Sequence, residues 1–248
     1  MRDQLALFGE ELISECNFCG WARKRICPEC EANYAAFWRA SSDWEYSETG
    51  YSHDFYDESE ANQRRLDEAR ELLATDPPAA YASYLELANA GSMTAMFHLA
   101  LCLEAGTGVD CNLDQALHWY GEGLDAGSWT SALEYARLLD RTGDREACDK
   151  LLQSGVNAGL ATAAYRLARY QYNRSQMRRT AREIRPLLDR AIEKGHPGAT
   201  FFLSELMTKG KLGLGNIFAG IRMGAAAIGN VAAETQEKPD NGSVPANA

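Results

Sequence analysis

The sequence has 248 residues, of which 46% are hydrophobic and 24% charged, and its formal net charge is -10. This apolar fraction is ordinary for a globular protein and is large enough to supply a buried core. The negative charge argues against sequence-independent binding to DNA or to anionic lipid, because most of the surface would repel both.

The first residues, MRDQLALFGEEL, contain three acidic side chains. A secretory signal needs an unbroken apolar segment at this place, so we expect a cytoplasmic protein. The chain has seven cysteines, four of them in two CxxC pairs and three scattered at Cys102, Cys111 and Cys148. This usage is typical of reduced thiols and a metal site rather than of a disulfide framework.

The two CxxC pairs are Cys16 with Cys19 and Cys27 with Cys30. Two such turns can point four thiolates at one centre, and the closed tetrahedral site that results is typical of structural zinc. The same thiolates could hold an iron-sulfur cluster, or work as redox dithiols, although the strand-helix context of a thioredoxin-like site is missing. We predict that residues 1–40 form a helix and a four-cysteine zinc knuckle that binds Zn²⁺.

A basic run, Arg23, Lys24 and Arg25, lies between the two CxxC pairs. Such a run could contact phosphate, which gives an alternative function, a zinc-ribbon adaptor for nucleic acid. The other interpretation is a solvated loop that balances the charge of the thiolates. The acidic net charge of the chain favours the second interpretation.

The stretch after the cysteines combines aromatic and acidic side chains. Tyr34, Phe37 and Trp38 recur at helical spacing, and we expect them to pack on the zinc module. Residues 41–58 form an acidic, aromatic linker, which is either a partly ordered connector or a docking strip for a basic partner. Residues 165–194 are basic instead, which predicts an intramolecular or homotypic attraction between the two regions.

Four glycines, Gly91, Gly127, Gly159 and Gly195, follow one another at steps of 36, 32 and 36 residues. Each closes an apolar helical stretch, where glycine easily adopts the left-handed conformation that ends a helix. Small residues recur four and nine positions after each glycine, and a large residue lies between them, so neighbouring helices can approach closely. The period predicts a stack of helical hairpins.

Residues 92–127 show the clearest repeat, with a GTGV turn between two helices and an ALHWY segment in the second helix. This segment resembles the Sel1-like repeat (SLR) family, which is related to the tetratricopeptide repeat. The resemblance covers about residues 79–230 and implies a protein that binds other proteins. The matching positions are Ala95, Leu99, Gly106, Gly108, Val109, Ala116, Trp119, Tyr120 and Gly127.

We therefore predict an all-α protein whose main domain, residues 59–233, is an α/α solenoid of TPR-like hairpins. The polar residues 234–248 lack periodicity and are expected to be disordered. The predicted units are residues 59–91, 92–127, 128–159, 160–195 and 196–230.

The last unit raises the question of a membrane span, because residues 212–233 are long and apolar. Arg222 in the middle of this stretch and the many glycines argue against a span. We expect instead the second helix of a capping unit. Its expected buried side chains are Ile217, Phe218, Ile221, Met223 and Ile228.

Catalytic patterns are missing from the sequence. None of the four histidines lies in an HExxH arrangement, and there is no phosphate-binding glycine loop, no GxSxG and no SxxK. We therefore predict a protein that is not an enzyme, and a hydrolase with an unrecognised site is the remaining alternative.

The predicted function is a scaffold or adaptor whose concave face, formed by the first helices of the hairpins, binds a protein partner. Arg178, Arg179 and Arg182 would share one side of a helix and could bind carboxylates or phosphates. A run of arginines on a repeat protein can equally be a solvated face. The candidate residues on the first helices are Met96, His98, Glu134, Arg166 and Phe202.

Overall fold

The computed structural model describes residues 28–175 and 177–237. Throughout these residues the regular structure is helical, without a β-strand, which confirms the all-α prediction. In chain order the helices are α1 (Pro28–Glu48), α2 (Tyr51–Tyr56), α3 (Glu60–Thr75), α4 (Pro77–Asn89), α5 (Met93–Ala105), α6 (Leu113–Asp125), α7 (Trp129–Thr142), α8 (Arg145–Asn157), α9 (Ala161–Ser175), α10 (Arg178–Glu183), α11 (Arg185–Glu193), α12 (Pro197–Thr208) and α13 (Ile217–Glu237), the last preceded by a 3₁₀ turn (Leu214–Asn216).

The described chain divides into two compact units. One contains residues 44–170, in which α3 packs on α4, α5 on α6, and α7 on α8 as consecutive hairpins. The other contains residues 28–43 together with the described residues from 171 onward, in which α12 packs on both α11 and α13.

The four periodic glycines end helices in the same way. Gly91, Gly127, Gly159 and Gly195 have φ values of 95°, 103°, 91° and 88°, and each lies two residues after a helix. In each case the next residue donates its N–H to the carbonyl oxygen five positions earlier, over 2.9 to 3.0 Å. This hydrogen bond satisfies a carbonyl group at the helix end. The predicted helix ends are confirmed.

The core of residues 44–170 contains the positions at which the repeat pattern alternates small and large side chains. Ala95, Leu99 and Ala100 are fully buried, as are Tyr84 of the preceding hairpin and Tyr120 of α6. Burying these side chains removes apolar area from water, which is the main source of stability for stacked helices.

Two second helices approach the next hairpin through a glycine. A Cβ atom added at Gly123 of α6 would lie 2.7 Å from the Cβ of Ser131, and one added at Gly155 of α8 would lie 2.7 Å from the Cβ of Ala163. Carbon atoms do not approach so closely without strain. The small residues at positions 131 and 163 therefore allow the close approach that the repeat pattern predicts.

We expect Gly123→Ala to lower the free energy of unfolding by about 1–3 kcal/mol, because the new methyl group overpacks the contact with α7. Gly121 lies on the same helix, and an added Cβ there would come no closer than 4.0 Å to Tyr135. Gly121→Ala should therefore stabilise the protein by about 0.5–1 kcal/mol through helix propensity. Urea denaturation of both variants measures the difference, and shifts of the same sign would contradict this packing.

The predicted unit 160–195 departs from a simple hairpin. Its second helix is divided into α10 and α11, which are separated at Ile184. Pro186 lies in the first turn of α11 and has no N–H, so it cannot continue the hydrogen bonds of α10. The second half of this unit is thus two short helices in place of one.

Helix α13 packs on α12 through its glycines. A Cβ at Gly220 would lie 2.7 Å from the Cβ of Met207 and 2.8 Å from the carbonyl oxygen of Ser204. Ile228 is buried as predicted, but Phe218 is 79% exposed, so the prediction that Phe218 is buried is wrong. Helix α12 packs against the side of α13 that carries the glycines, and the side that carries Phe218 is exposed.

Helix α13 continues to Glu237, three residues beyond Glu234, where the disordered tail was expected to start. The remainder of that predicted tail lies outside the described residues. In the described part of the chain no helix combines the length and the apolar character that crossing a bilayer requires.

Candidate protein-interaction face

Residues 44–58, named here the acidic segment, cover the N-terminal parts of three first helices, α5, α7 and α9. The sequence predicts a linker over residues 41–58, whereas the structure has the end of α1 and all of α2 in this range. Tyr51 and Phe55 pack against the core, which explains why this stretch is ordered. The surface of the three helices that contacts the acidic segment is named here the first-helix face, and its residues are Ser92, His98, Ser128, Thr130, Glu134, Thr162 and Arg166.

Two carboxylates of the acidic segment bind the N-caps of α5 and α7. Glu58 accepts a hydrogen bond from the hydroxyl of Ser92, and Asp54 Oδ2 accepts one from Ser128 Oγ over 2.7 Å. Both serines also accept a backbone N–H from the first turn of their helix. A negative charge at this end of a helix is favourable, because it faces the positive end of the helix dipole.

The third carboxylate caps α9 directly. Leu160 precedes α9 where Ser92 and Ser128 precede α5 and α7, and a leucine side chain cannot accept a hydrogen bond. Glu48 supplies the missing acceptor, since its carboxylate receives the N–H of Ala161 at 2.6 Å and the N–H of Thr162 at 2.7 Å. The hydroxyl of Thr162 donates to the same carboxylate over 2.6 Å. The cap of α9 therefore comes from a distant part of the chain.

A chain of ion pairs runs along the first helices. Arg166 binds Glu45 at 2.8 Å and Glu134 at 2.9 Å, and Arg137 binds both Glu134 and Glu104 at 2.5 Å. Burial alone would raise the pKa of Glu134, but the guanidinium groups of Arg166 and Arg137 bring that pKa below its usual range. The pair of Glu45 and Arg166 joins one residue of the acidic region to one residue of the basic region.

His98 contacts the acidic segment through an aromatic site. Its Nε2 lies 2.9 Å from the hydroxyl of Tyr51, and its ring stacks on Tyr84 with 5.1 Å between centroids. Burial, with a smaller contribution from Arg70, lowers the pKa of His98 to about 4. The imidazole is therefore neutral at pH 7 and acts here as a packing and hydrogen-bonding group.

We expect this histidine to make stability depend on pH. An unfolded histidine has a pKa of about 6.5, so between that value and about 4 the unfolded chain binds more protons than the folded chain, and stability falls as the pH falls. From pH 7.5 to pH 5.0 the loss due to His98 is about 2 kcal/mol. Urea denaturation of wild type and His98→Phe at both values measures it. The variant keeps the ring stack, and an equal pH dependence in both proteins would contradict the assignment.

The acidic segment does not fill the first-helix face completely. Thr130 Oγ1 donates to Thr49 Oγ1 over 2.9 Å, and both threonines are buried. A small cleft remains beside them, lined by Glu45 and Tyr46 on one side and by Leu133 and Arg166 on the other. The segment is thus held by specific polar contacts in addition to the packing of Tyr51 and Phe55 against the core.

The remaining candidate residues on first helices lie in the interior. Met96 of α5 is buried, and Phe202 of α12 is only 5% exposed, with its ring centroid 5.6 Å from that of Tyr172. The structure therefore assembles His98, Glu134 and Arg166 beneath the acidic segment and places the other two candidates in the core.

The arginine run is exposed. Arg178, Arg179 and Arg182 all lie on the surface of α10, and Arg179 binds Glu183 at 2.8 Å with 87% of its side chain exposed. Exposed pairs of this kind contribute little to stability. Their solvent exposure is compatible with either interpretation of the run.

The aromatic residues of α1 surround Phe201 of α12. The ring centroids of Tyr34, Phe37 and Trp38 lie 5.8, 5.3 and 5.7 Å from that of Phe201. Aromatic rings in tilted or edge-to-face contact at these distances stabilise one another beyond their area of burial. Packing on α12 thus accounts for the helical spacing of the three residues.

The predicted zinc ligands fall mainly outside the described part of the chain. Cys16, Cys19 and Cys27 precede it, as does the basic run after Cys19, and Cys30 lies in the first turn of α1 with its side chain not described. Among the described side chains, no group of three or more histidine, cysteine or acidic residues could hold a metal ion. The zinc site stays a prediction.

No protein-family model matches this sequence, and no curated protein is similar enough to count as a match. Among solved structures, a Sel1 repeat protein from Oxalobacter formigenes is 19% identical, with a TM-score of 0.47 over 65% of this chain and 68% of its own. A protective antigen of uropathogenic Escherichia coli strains, described as displaying an SLR fold, is 15% identical, with a TM-score of 0.51 over 100% of this chain and 67% of its own. This chain has the SLR fold. At this level of identity the likeness concerns the fold alone.

Four carboxylates of the acidic segment bind the first-helix face, and the SLR pattern does not identify them. They are Glu45, Glu48, Asp54 and Glu58. One signal for them is present in the sequence. The residues before α5, α7 and α9 are serine, serine and leucine, and the break in this series marks a helix that needs an acceptor from elsewhere.

Proposed function

We propose that this protein is a scaffold without catalytic activity that binds another protein through the first-helix face of its SLR hairpins. The observation that carries the proposal is that this face already holds a peptide segment through contacts at three helix N-termini and at Arg166. Stacked helical hairpins form extended surfaces on which such contacts repeat. The chemistry of the face is therefore that of peptide recognition.

The test uses the full chain as an immobilised bait in lysate, with and without nuclease. We expect a stoichiometric protein partner that resists nuclease and binds the purified chain in a calorimetric titration. A partner that nuclease removes would favour the alternative function, a nucleic-acid adaptor acting through Arg23, Lys24 and Arg25. Absence of any reconstituted complex would overturn the proposal.

We propose the exposed arginines of α10 as a second contact for carboxylates of the partner. Changing Arg178, Arg179 and Arg182 to glutamate should abolish capture of the partner, because three attractive charges become repulsive. An unchanged set of partners would exclude α10 from the interface. A control variant reverses charges elsewhere on the surface, at Arg64, Arg145 and Lys150.

We also propose that Cys16, Cys19, Cys27 and Cys30 hold a structural Zn²⁺, in a cytoplasm that keeps the thiols reduced. The double variant Cys16→Ser, Cys19→Ser should lose the metal, as measured by elemental analysis. Its far-UV helicity should stay nearly constant, since the hairpins draw stability from their neighbours. Iron in the wild type, or a metal content that the double variant keeps, would contradict the proposal.

A further inference from the structure

We propose that the acidic segment is an intramolecular ligand of the first-helix face, and that the partner presents a similar acidic, aromatic segment that takes its place. This inference rests on the proposed function and specifies the chemistry of the partner.

The contacts of the acidic segment follow the period of the hairpins. Glu58 binds at α5, Asp54 at α7 and Glu48 at α9, so each first helix of the series receives one carboxylate. The segment therefore runs in the opposite order to the helices that it contacts. A surface with one anion-binding helix end per hairpin selects a ligand with carboxylates at matching intervals.

Two further groups select the ligand. Arg166 donates from two nitrogens, at 2.8 and 3.1 Å, to the same oxygen of Glu45, Oε2, and these charge-assisted hydrogen bonds favour an anionic acceptor at this position. Tyr51 fits between Phe97, at 5.6 Å between ring centroids, and the imidazole of His98. The site thus accepts an aromatic ring beside acidic side chains.

Helix α2 of the segment depends on the face for its structure, which makes exchange of this part feasible. Helix α2 has only six residues, and helices shorter than about 12 residues are marginal in water by themselves. The outer side of the segment is solvated, with Tyr56 71% exposed and His53 and Asp57 also exposed. A competing segment could therefore replace it without unfolding the hairpins beneath.

The test is a binding titration with a fluorescent peptide of residues 44–59, WEYSETGYSHDFYDES, against the full chain. In wild type the tethered segment occupies the face at a high effective concentration and excludes the peptide. The variant Glu48→Gln, Asp54→Asn, Glu58→Gln should bind the peptide at least tenfold more tightly than wild type does. A peptide with the same three amide substitutions is the control and should bind neither protein.

A second variant locks the segment in place. Thr49 and Thr130 have hydroxyl oxygens 2.9 Å apart, so Thr49→Cys with Thr130→Cys places two thiols within reach of a disulfide. The oxidised protein should bind neither the peptide nor the partner, and reduction should restore binding of the partner. The single variant Thr49→Cys under the same oxidant controls for the natural cysteines.

The outcomes separate this inference from the proposed function. Equal binding of the peptide to wild type and to the amide variant would overturn the intramolecular ligand. Partner binding that persists in the locked protein would also overturn it, while leaving a scaffold that binds elsewhere. If the amide variant does not fold, binding of the partner to the reduced protein and its loss in the locked protein still test the inference.

Discussion

Replacing Gly108 by alanine should lower the free energy of unfolding by about 3 kcal/mol or more. Gly108 has a φ of 72°, and an added Cβ would overlap the carbonyl group of Pro77 and lie 2.8 Å from the nitrogen of Pro78. Both obstacles are backbone atoms at the start of α4, so neither can rotate away, and the left-handed conformation adds strain of its own. The glycine of the GTGV turn therefore permits contact with the preceding hairpin.

The matched control is Gly91→Ala. Gly91 also has a left-handed conformation, with φ of 95°, but nothing lies within 4 Å of an added Cβ. Only the conformational strain remains, which is about 1–2 kcal/mol. Denaturation with urea compares the two, and an equal loss of stability in both variants would show that the close contact with α4 is unimportant.

Replacing Arg166 by methionine should destabilise the protein by about 3–5 kcal/mol, because a cation is removed from between two largely buried carboxylates. The side chains of Arg166 and Glu45 are only 17% and 15% exposed, and the guanidinium also donates to the carbonyl oxygen of Leu133. Methionine keeps most of the apolar volume, so the effect reports the charge. Thermal or urea unfolding measures it.

Two further variants show whether charge is the cause. Adding Glu45→Gln to Arg166→Met should recover part of the lost stability, because one of the two carboxylates is then neutral. Arg179→Met removes an exposed ion pair with Glu183 and should leave stability nearly unchanged. A similar loss from Arg179→Met and Arg166→Met would contradict the importance of burial.

Hairpins of this fold are predictable because their determinants are local and periodic. Glycines at positions 91, 127, 159 and 195 mark helix ends within one or two residues. The small residues at 131 and 163 mark the places where neighbouring helices approach each other closely. Each of these features depends on neighbours that the repeat places at a fixed distance in sequence. The helical class, the helix ends and much of the core follow from them.

The acidic segment is not predictable in the same way. Glu48 and Thr162 are 114 positions apart, and no period connects a carboxylate to a helix end so far along the chain. The composition of residues 41–58 is that of a connector, and only the contacts with Ser92, Ser128 and Thr162 make it part of the hairpin unit. The prediction that Phe218 is buried is wrong for a similar reason. The surface of α12 determines which side of α13 is buried, and the sequence pattern of α13 itself does not contain that information.

The cap that Glu48 provides has a consequence for the order of folding during synthesis on the ribosome. Residue 48 leaves the exit tunnel long before Ala161, with which it pairs across 113 positions, has been synthesised. Domains form progressively as a polypeptide emerges, and contacts between distant positions form late. Glu48 therefore remains solvated until α9 has been synthesised, so its attachment to α9 is a late step of folding.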